Sequence, residues 1–370
     1  MSRDIAKNLT LVLGSFIVAL FFAEIILRVF LAIPYSMEVE YVPDGCLGFR
    51  LAPDRVYMLK SGGRCSVNNL GFRGAALTDP RNTAHRARII AVGESSTFSY
   101  ETDDEEIWTR VLEKKLRQRY GENIEVINAG VPGYSIFESK INYMYQLRAL
   151  HPDVVIAYDT WNDIKWFRAV ETGAYPKKGV SGKDLLTSIL RHLQIAWRIR
   201  NYIDQVWTPR QRENRYGHFG GTGAAISPDG AAHEWERQNY DDLVLLLNND
   251  KVIPVLSTQG GLLSSDNIED PEVRAVVYTE YVNLSFEELL AQWNAVSRII
   301  ERAAKKGGAL FIDVYSQVPH NRLMFLDHVH LTDAGNARVA QILFEGLIRE
   351  PRIDSLMRSR NATSATGTIR

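Results

Sequence analysis

The chain has 370 residues, 45% hydrophobic and 10% aromatic, enough apolar material for a sizeable core and unlike a disordered polymer. The formal net charge is −1, and no basic stripe runs through the soluble part, so nucleic acid is excluded as a partner. The length fits one α/β domain of about 250 residues with additional segments around it.

Residues 9–33 come first. Seventeen of these 25 positions are Leu, Ile, Val or Phe, worth about 5 to 10 kcal/mol of membrane insertion free energy. Glu24 and Arg28 interrupt the run at a cost of about 3 kcal/mol each at the bilayer centre, and less toward its edge. Their i,i+4 spacing, Glu first, also suits a pair on one helix face. Residues 1–33 are therefore read as an uncleaved N-terminal membrane anchor. The alternative is a cleaved signal peptide, with Arg3 and Lys7 as its n-region, but no small-x-small cleavage site precedes the charged pair. Arg3 and Lys7 lie before the span and Glu38, Glu40 and Asp44 after it, which places the N-terminus in the cytoplasm and the rest outside.

Residues 34–86 form a lead-in with Pro43, Pro53, a Gly62-Gly63 pair and the turn-like stretch from Asn68 through Gly71 to Gly74. It reads as loop-rich or short-stranded. The two cysteines of the chain, Cys46 and Cys65, fall here. Outside the cytoplasm they are expected to close a disulfide worth about 3 kcal/mol; in a cytosolic protein they would be free thiols.

Buried-strand patterns follow at residues 88–92, 124–127, 154–158, 252–256 and 310–314. Between them, Thr102-Asp103-Asp104-Glu105 reads as a capping box ahead of the helical face Trp108, Val111, Leu112 and Leu116. Residues 134–150 are helical, as is the face Leu289, Trp293, Val296 and Ile300, which stops at Gly307-Gly308. Val339, Ile342, Leu343 and Leu347 mark the last helix. Such alternation predicts an α/β fold with a five-stranded parallel sheet between helical layers. An insertion at about 165–240 breaks the rhythm. Residues 183–206 read as helical, with Trp197 and Trp207 near that end, and residues 215–232 as a glycine-rich loop. Placed on the carboxyl side of the sheet, it would elaborate a crossover or cap the site. The tail, residues 351–370, is expected to be disordered.

Four strand ends carry chemistry. Gly93-Glu94-Ser95 follows the first strand and presents a hydroxyl at its carboxyl end, although Gly-x-Ser alone is ordinary turn chemistry. Asn128-Ala129-Gly130 follows the second; Gly130 lets a backbone N–H approach a reacting oxygen, or belongs to a plain Gly-Pro-Gly loop. Asn162-Asp163 follows the third and offers either an oxyanion-binding amide or a helix cap. Asp327 stands three residues before His330, a spacing that lets the carboxylate hold the imidazole as a general base. His328 beside His330 raises a metal reading, but no Cys or third His lies near. No phosphate-binding glycine loop is present either, so no cofactor is expected.

Taken together, the four blocks resemble the SGNH/GDSL hydrolase superfamily of membrane-anchored bacterial type. Gly93-Glu94-Ser95 matches its first block, Gly130 its second, Asn162-Asp163 its third and Asp327-x-x-His330 its last. The likeness spans residues 88–350, and the stretch from Asn68 to Gly74 is similar to what precedes the first block in such proteins. Glu94 departs from the usual Asp, and Thr160 from the usual Gly, where it would reshape or crowd the oxyanion loop.

The resemblance implies a flavodoxin-like three-layer domain over residues 87–350. It also implies catalysis by Ser95, His330 and Asp327, with Gly130, Asn162 and the Ser95 N–H around the oxyanion. A catalytic domain on the periplasmic side of the inner membrane implies, as substrate, an O-acyl ester, foremost O-acetyl, on an envelope glycan or lipid. Trp161 and Trp166 would suit stacking on a sugar. Two alternatives share these residues: acyl transfer to a glycan hydroxyl, and a non-catalytic, membrane-tethered envelope-assembly subunit. Oligomeric state is not legible.

Overall fold

The computed structural model describes residues 3–30, 39–59, 62–77, 79–82, 85–171, 226, 230–277, 279 and 284–366. The expected helix at 183–206, Trp197, Trp207 and most of the glycine-rich stretch lie outside the described residues.

Among the described residues, the N-terminal unit is the long helix α1 (Arg3–Phe30). Its stretch Thr10–Leu27 has a mean hydropathy of 2.4. Side chains such as Leu11, Phe16 and Phe21 stand exposed along it. The helix is long and apolar enough to cross a membrane, a property that signal sequences share. The Arg28 side chain of the expected ion pair lies outside the described side chains.

The second unit is built on a parallel sheet of five strands: β5 (Ala87–Gly93), β6 (Ile124–Asn128), β7 (Val154–Tyr158), β8 (Ile253–Ser257) and β9 (Leu310–Ile312), in the order β6-β5-β7-β8-β9. This is the flavodoxin-like order, with the reversal between β5 and β7. Interior β5 pairs Ile90 with Ile127 on one side and with Val155 on the other. All seven residues of β5 are buried. Its branched side chains therefore pack on both faces, at about 1.5–3 kcal/mol for each fully buried residue. The buried Arg88 is satisfied: its guanidinium donates to Glu125 and to the carbonyls of Asp79, Pro80 and Leu150.

Helices α3 (Trp108–Tyr120), α8 (Asp333–Arg349) and α9 (Pro351–Thr366) pack together, as do α4 (Ile136–Tyr145), α5 (Trp161–Glu171), α6 (Ala231–Asn249) and α7 (Phe286–Gly307). Ser135 with Glu138 and Ser285 with Glu288 form capping boxes at α4 and α7. The Gly308 C-cap takes φ +69°, as a left-handed helix stop requires.

Three local expectations need correction. The Thr102–Glu105 stretch is not a capping box, since α3 begins at Trp108. Its carboxylates hold the lead-in instead: Asp103 accepts from the Arg64 N–H, and Asp104 from the Ser66 N–H and the Arg73 guanidinium. The tail is helix α9 rather than disordered over its described length. Ile353 and Met357, four apart, bury one face, and Asn361 Oδ1 accepts from the Asn123 N–H.

The disulfide is also absent: Cys46 and Cys65 are free thiols. The lead-in folds as two antiparallel hairpins, β1–β2 (Tyr41–Asp44, Gly48–Leu51) and β3–β4 (Arg55–Met58, Arg64–Val67). Cys46 lies at the exposed turn of the first, where Asp44 accepts its N–H, while Cys65 is buried in β4. Burial pushes the Cys65 thiol up to about 12, so it stays protonated and inert.

Arg73 joins the lead-in to the sheet. Its N–H donates to Asn128 O at the end of β6. Its buried guanidinium pairs with Asp104 at 2.9 Å, donates to the Thr102 carbonyl and stacks over Phe98.

Candidate active site

The site forms where β5, β6, β7 and the loop before α8 end on the carboxyl side of the sheet. Gly93 turns the chain with φ +152°, and a Cβ there would lie 2.2 Å from Thr97 Oγ1 and 2.3 Å from Tyr158 O. Only glycine fits so close an approach. A single turn of helix, α2 (Ser95–Phe98), follows at once. Ser95 is its first residue, so its N–H belongs to the helix end that lacks intrahelical acceptors.

The structure brings Ser95, His330 and Asp327 into one file. Ser95 Oγ lies 2.9 Å from His330 Nε2, and His330 Nδ1 lies 2.7 Å from Asp327 Oδ2. The other Asp327 oxygen accepts from the N–H groups of Val329 and His330, both at 2.9 Å. The carboxylate is thus held by the turn it opens, which fixes Nδ1 as donor and leaves Nε2 to accept from the hydroxyl. Burial alone would raise the Asp327 carboxyl; the hydrogen bond and charge of His330 outweigh it and hold it below the usual range. Beside it, His328 is buried with its ring 4.0 Å from that of Trp161. Burial pushes its imidazole down to about 4, against the pull of Asp327, and so keeps it neutral.

Asn162 and Gly130 lie at the same end of the sheet, each already engaged. Asn162 Nδ2 donates to Tyr134 O at 2.8 Å, which leaves the second amide hydrogen. The Gly130 N–H donates to Asn128 Oδ1 at 3.1 Å. Asn128 is itself anchored to Thr97 O and Thr109 Oγ1, which turns its side-chain carbonyl onto this N–H. What glycine provides here is space: a Cβ would sit 2.5 Å from Phe98 N and 2.8 Å from Thr97 C.

Two further expectations change. Thr160 is fully buried with its hydroxyl on the Asp159 carbonyl, turned back along its own chain. Trp161 is buried against His328 and offers no face to a sugar, and the ring of Trp166 carries the Lys165 ammonium at 5.1 Å.

Gln259, at the end of β8, was not anticipated. Its Nε2 donates to Ser96 Oγ at 2.7 Å, its Oε1 accepts from Trp161 N at 2.9 Å, and Ser96 in turn donates to Val329 O. One side chain thereby links the nucleophile helix, the Asn162 loop and the His330 loop. Thr258-Gln259-Gly260-Gly261, a polar glycine turn directly after a strand, was the available signal. Asp163 also serves at a distance, accepting the first N–H of α4 from Ile136 at 2.9 Å. Burial, and then Glu236, push its carboxyl well up.

Glu94 is fully buried and accepts from the N–H groups of Trp161 and Asn162 at 3.2 and 3.0 Å. The extra methylene relative to Asp lets it brace the Asn162 loop from below. Burial first, and then Asp159, push its carboxyl up to about 8. The unfolded chain, titrating near 4.5, releases this proton first, so stability falls as pH rises between about 4.5 and 8, by on the order of 4 kcal/mol. Glu94→Gln should flatten that fall in urea denaturation midpoints measured from pH 5 to 8.5. Equal slopes in parent and variant would place the titration elsewhere.

A five-stranded parallel sheet with hydroxyl, imidazole and carboxylate lined up at its carboxyl edge defines the class of α/β acyl hydrolases. The chain belongs to the GDSL-like lipase/acylhydrolase family, whose model matches residues 91–338, two thirds of its length. It is accordingly a carboxylic ester hydrolase. No curated protein matches the chain in sequence. Among solved structures it is similar to LAE5, an α/β hydrolase enzyme from the metagenome of Lake Arreo, Spain, at 15% identity and a TM-score of 0.43, covering 70% of this chain and 94% of that one. It is also similar to a catalytic mutant of Axe2, an acetylxylan esterase from Geobacillus stearothermophilus, at 15% identity and a TM-score of 0.42, covering 70% and 93%. TesA matches at 14% identity and a TM-score of 0.39, covering 70% and 97%.

Proposed function

We propose that the protein is a serine esterase that removes an O-acyl group, foremost O-acetyl, from a glycan or lipid of the cell envelope. The observation that carries this reading is the file Ser95 Oγ, His330 Nε2 at 2.9 Å, His330 Nδ1 and Asp327 Oδ2 at 2.7 Å. His330 takes the hydroxyl proton as Ser95 Oγ attacks the ester carbonyl, and Asp327 stabilises the imidazolium. The oxyanion is met by the Ser95 N–H at the start of α2 and by the second hydrogen of the Asn162 amide. His330 then protonates the departing alkoxide, and a water activated by the same imidazole releases the acyl group from Ser95.

The envelope assignment is supported by α1, with its span Thr10–Leu27, and by Arg3 and Lys7 ahead of it. In this reading α1 is a single-pass anchor in the inner membrane and the esterase domain lies on the periplasmic side.

The test is acetate release from p-nitrophenyl acetate by the detergent-solubilised full chain. Free acetate should appear one for one with p-nitrophenol. Absence of turnover, or acetate recovered on an added glycan instead of in solution, would contradict a hydrolase.

A further inference from the structure

Tyr100 lies two residues beyond α2 and is held between two residues with positive φ, Ser99 at 59° and Glu101 at 63°. Neither is glycine, so the backbone is strained on both sides of this side chain. The half-buried Tyr100 ring lies 5.7 Å from the His330 ring at an interplanar angle of 41°. From the lead-in, Tyr41 on β1 directs its hydroxyl at Pro132 O at 3.4 Å, in the loop that follows β6. The Tyr41 residue is 37% exposed.

Behind Tyr41 the hairpin is fixed firmly. Phe49 packs edge-on to Tyr41 at 5.0 Å and lies 5.4 Å from Tyr134, whose hydroxyl donates to Phe49 O at 2.6 Å. Tyr134 is also the residue whose carbonyl holds Asn162. The β1–β2 hairpin, upstream of the residues that match the family model, is therefore seated against the loop after β6 beside the site.

The chemistry assigns a side to these two tyrosines. His330 Nε2 must hand its proton to the leaving oxygen, so the alcohol half of the ester lies over the imidazole and the acyl half lies toward the Ser95 N–H and Asn162. Tyr100, packed on the imidazole, borders the alcohol half. We propose that Tyr100 and Tyr41 form a subsite for a pyranose ring carrying the O-acyl group, with the β1–β2 hairpin as its wall. Phenol rings suit such a ligand because they offer an apolar face to sugar C–H groups and a hydroxyl to sugar oxygens. The buried Trp161 cannot do this. This subsite rests on the esterase reading and names its substrate class as a glycan rather than a lipid.

The test measures acetate release from an O-acetylated xylo-oligosaccharide and from ethyl acetate by the detergent-solubilised full chain. In Tyr41→Ala and Tyr100→Ala, kcat/KM should fall at least tenfold further on the oligosaccharide than on ethyl acetate, chiefly through KM. Tyr41→Phe and Tyr100→Phe should recover most of that loss, since the ring face is kept. Equal losses on both esters would mean a structural role and overturn the subsite, as would no loss on the oligosaccharide. A parent that cleaves ethyl acetate but not the oligosaccharide would overturn the pyranose assignment and leave the esterase standing. A parent that cleaves neither would remove the esterase reading and the subsite with it.

Discussion

Ser95→Ala is expected to lower kcat/KM for p-nitrophenyl acetate by at least about 10⁴-fold while the fold survives. In the proposed mechanism the hydroxyl oxygen forms the acyl bond, and no neighbour replaces it. Ser96 is one residue away, but its hydroxyl is committed to Val329 O and Gln259 Nε2. Stability should change by about 1 kcal/mol at most, since the Ser95 side chain bonds only at the edge of the site, with a half-open imidazole. Steady-state kinetics beside thermal unfolding checks both halves. Activity within tenfold of the parent would mean that another group attacks the ester.

Asp327→Asn should cost about 10³- to 10⁴-fold in kcat with little change in structure. Asp327 Oδ1 is fixed by the Val329 and His330 N–H groups, so the variant's carbonyl must keep that position. Its amide nitrogen then faces His330 Nδ1, where the carboxylate had accepted at 2.7 Å. The ring answers by accepting at Nδ1 and carrying its proton on Nε2. In that tautomer it donates to Ser95 Oγ and cannot take the hydroxyl proton. The loss should fall on kcat, with KM within a few-fold. A raised KM at unchanged kcat would instead make Asp327 a binding residue.

The sheet and the Asp327–His330 contact were legible because both are local patterns. Each inner strand carries a short apolar run, such as residues 89–92 in β5 and Val154–Tyr158 in β7, as parallel strands buried on both faces do. Asp327 and His330 belong to one turn, so their spacing alone predicts their contact. Features that depend on remote partners were not legible. The Thr102–Glu105 stretch has capping-box chemistry, yet Arg64, Ser66 and Arg73 of the lead-in take its carboxylates. The bond from the Gly130 N–H to Asn128 Oδ1 depends on how Thr97 and Thr109 anchor that amide. Compartment reasoning favoured a disulfide, while hairpin geometry keeps Cys65 inside β4 and Cys46 on a turn. The polar tail hid its buried face, because Ile353 and Met357 are sparse among charged and hydroxyl residues and bury only against the finished domain. Gln259 is a single uncharged residue, and its importance appears only when three loops converge on it.

The most direct measurement is covalent capture of the nucleophile. The detergent-solubilised protein would be treated with diethyl p-nitrophenyl phosphate, whose phosphorus takes the place of the ester carbonyl, and digested for peptide mass spectrometry. A single diethylphosphoryl group on Ser95, formed in step with loss of esterase activity and absent from His330→Ala, is the expected result. Ester turnover that persists with Ser95 unmodified, or inactivation with the label on another residue, would contradict the account.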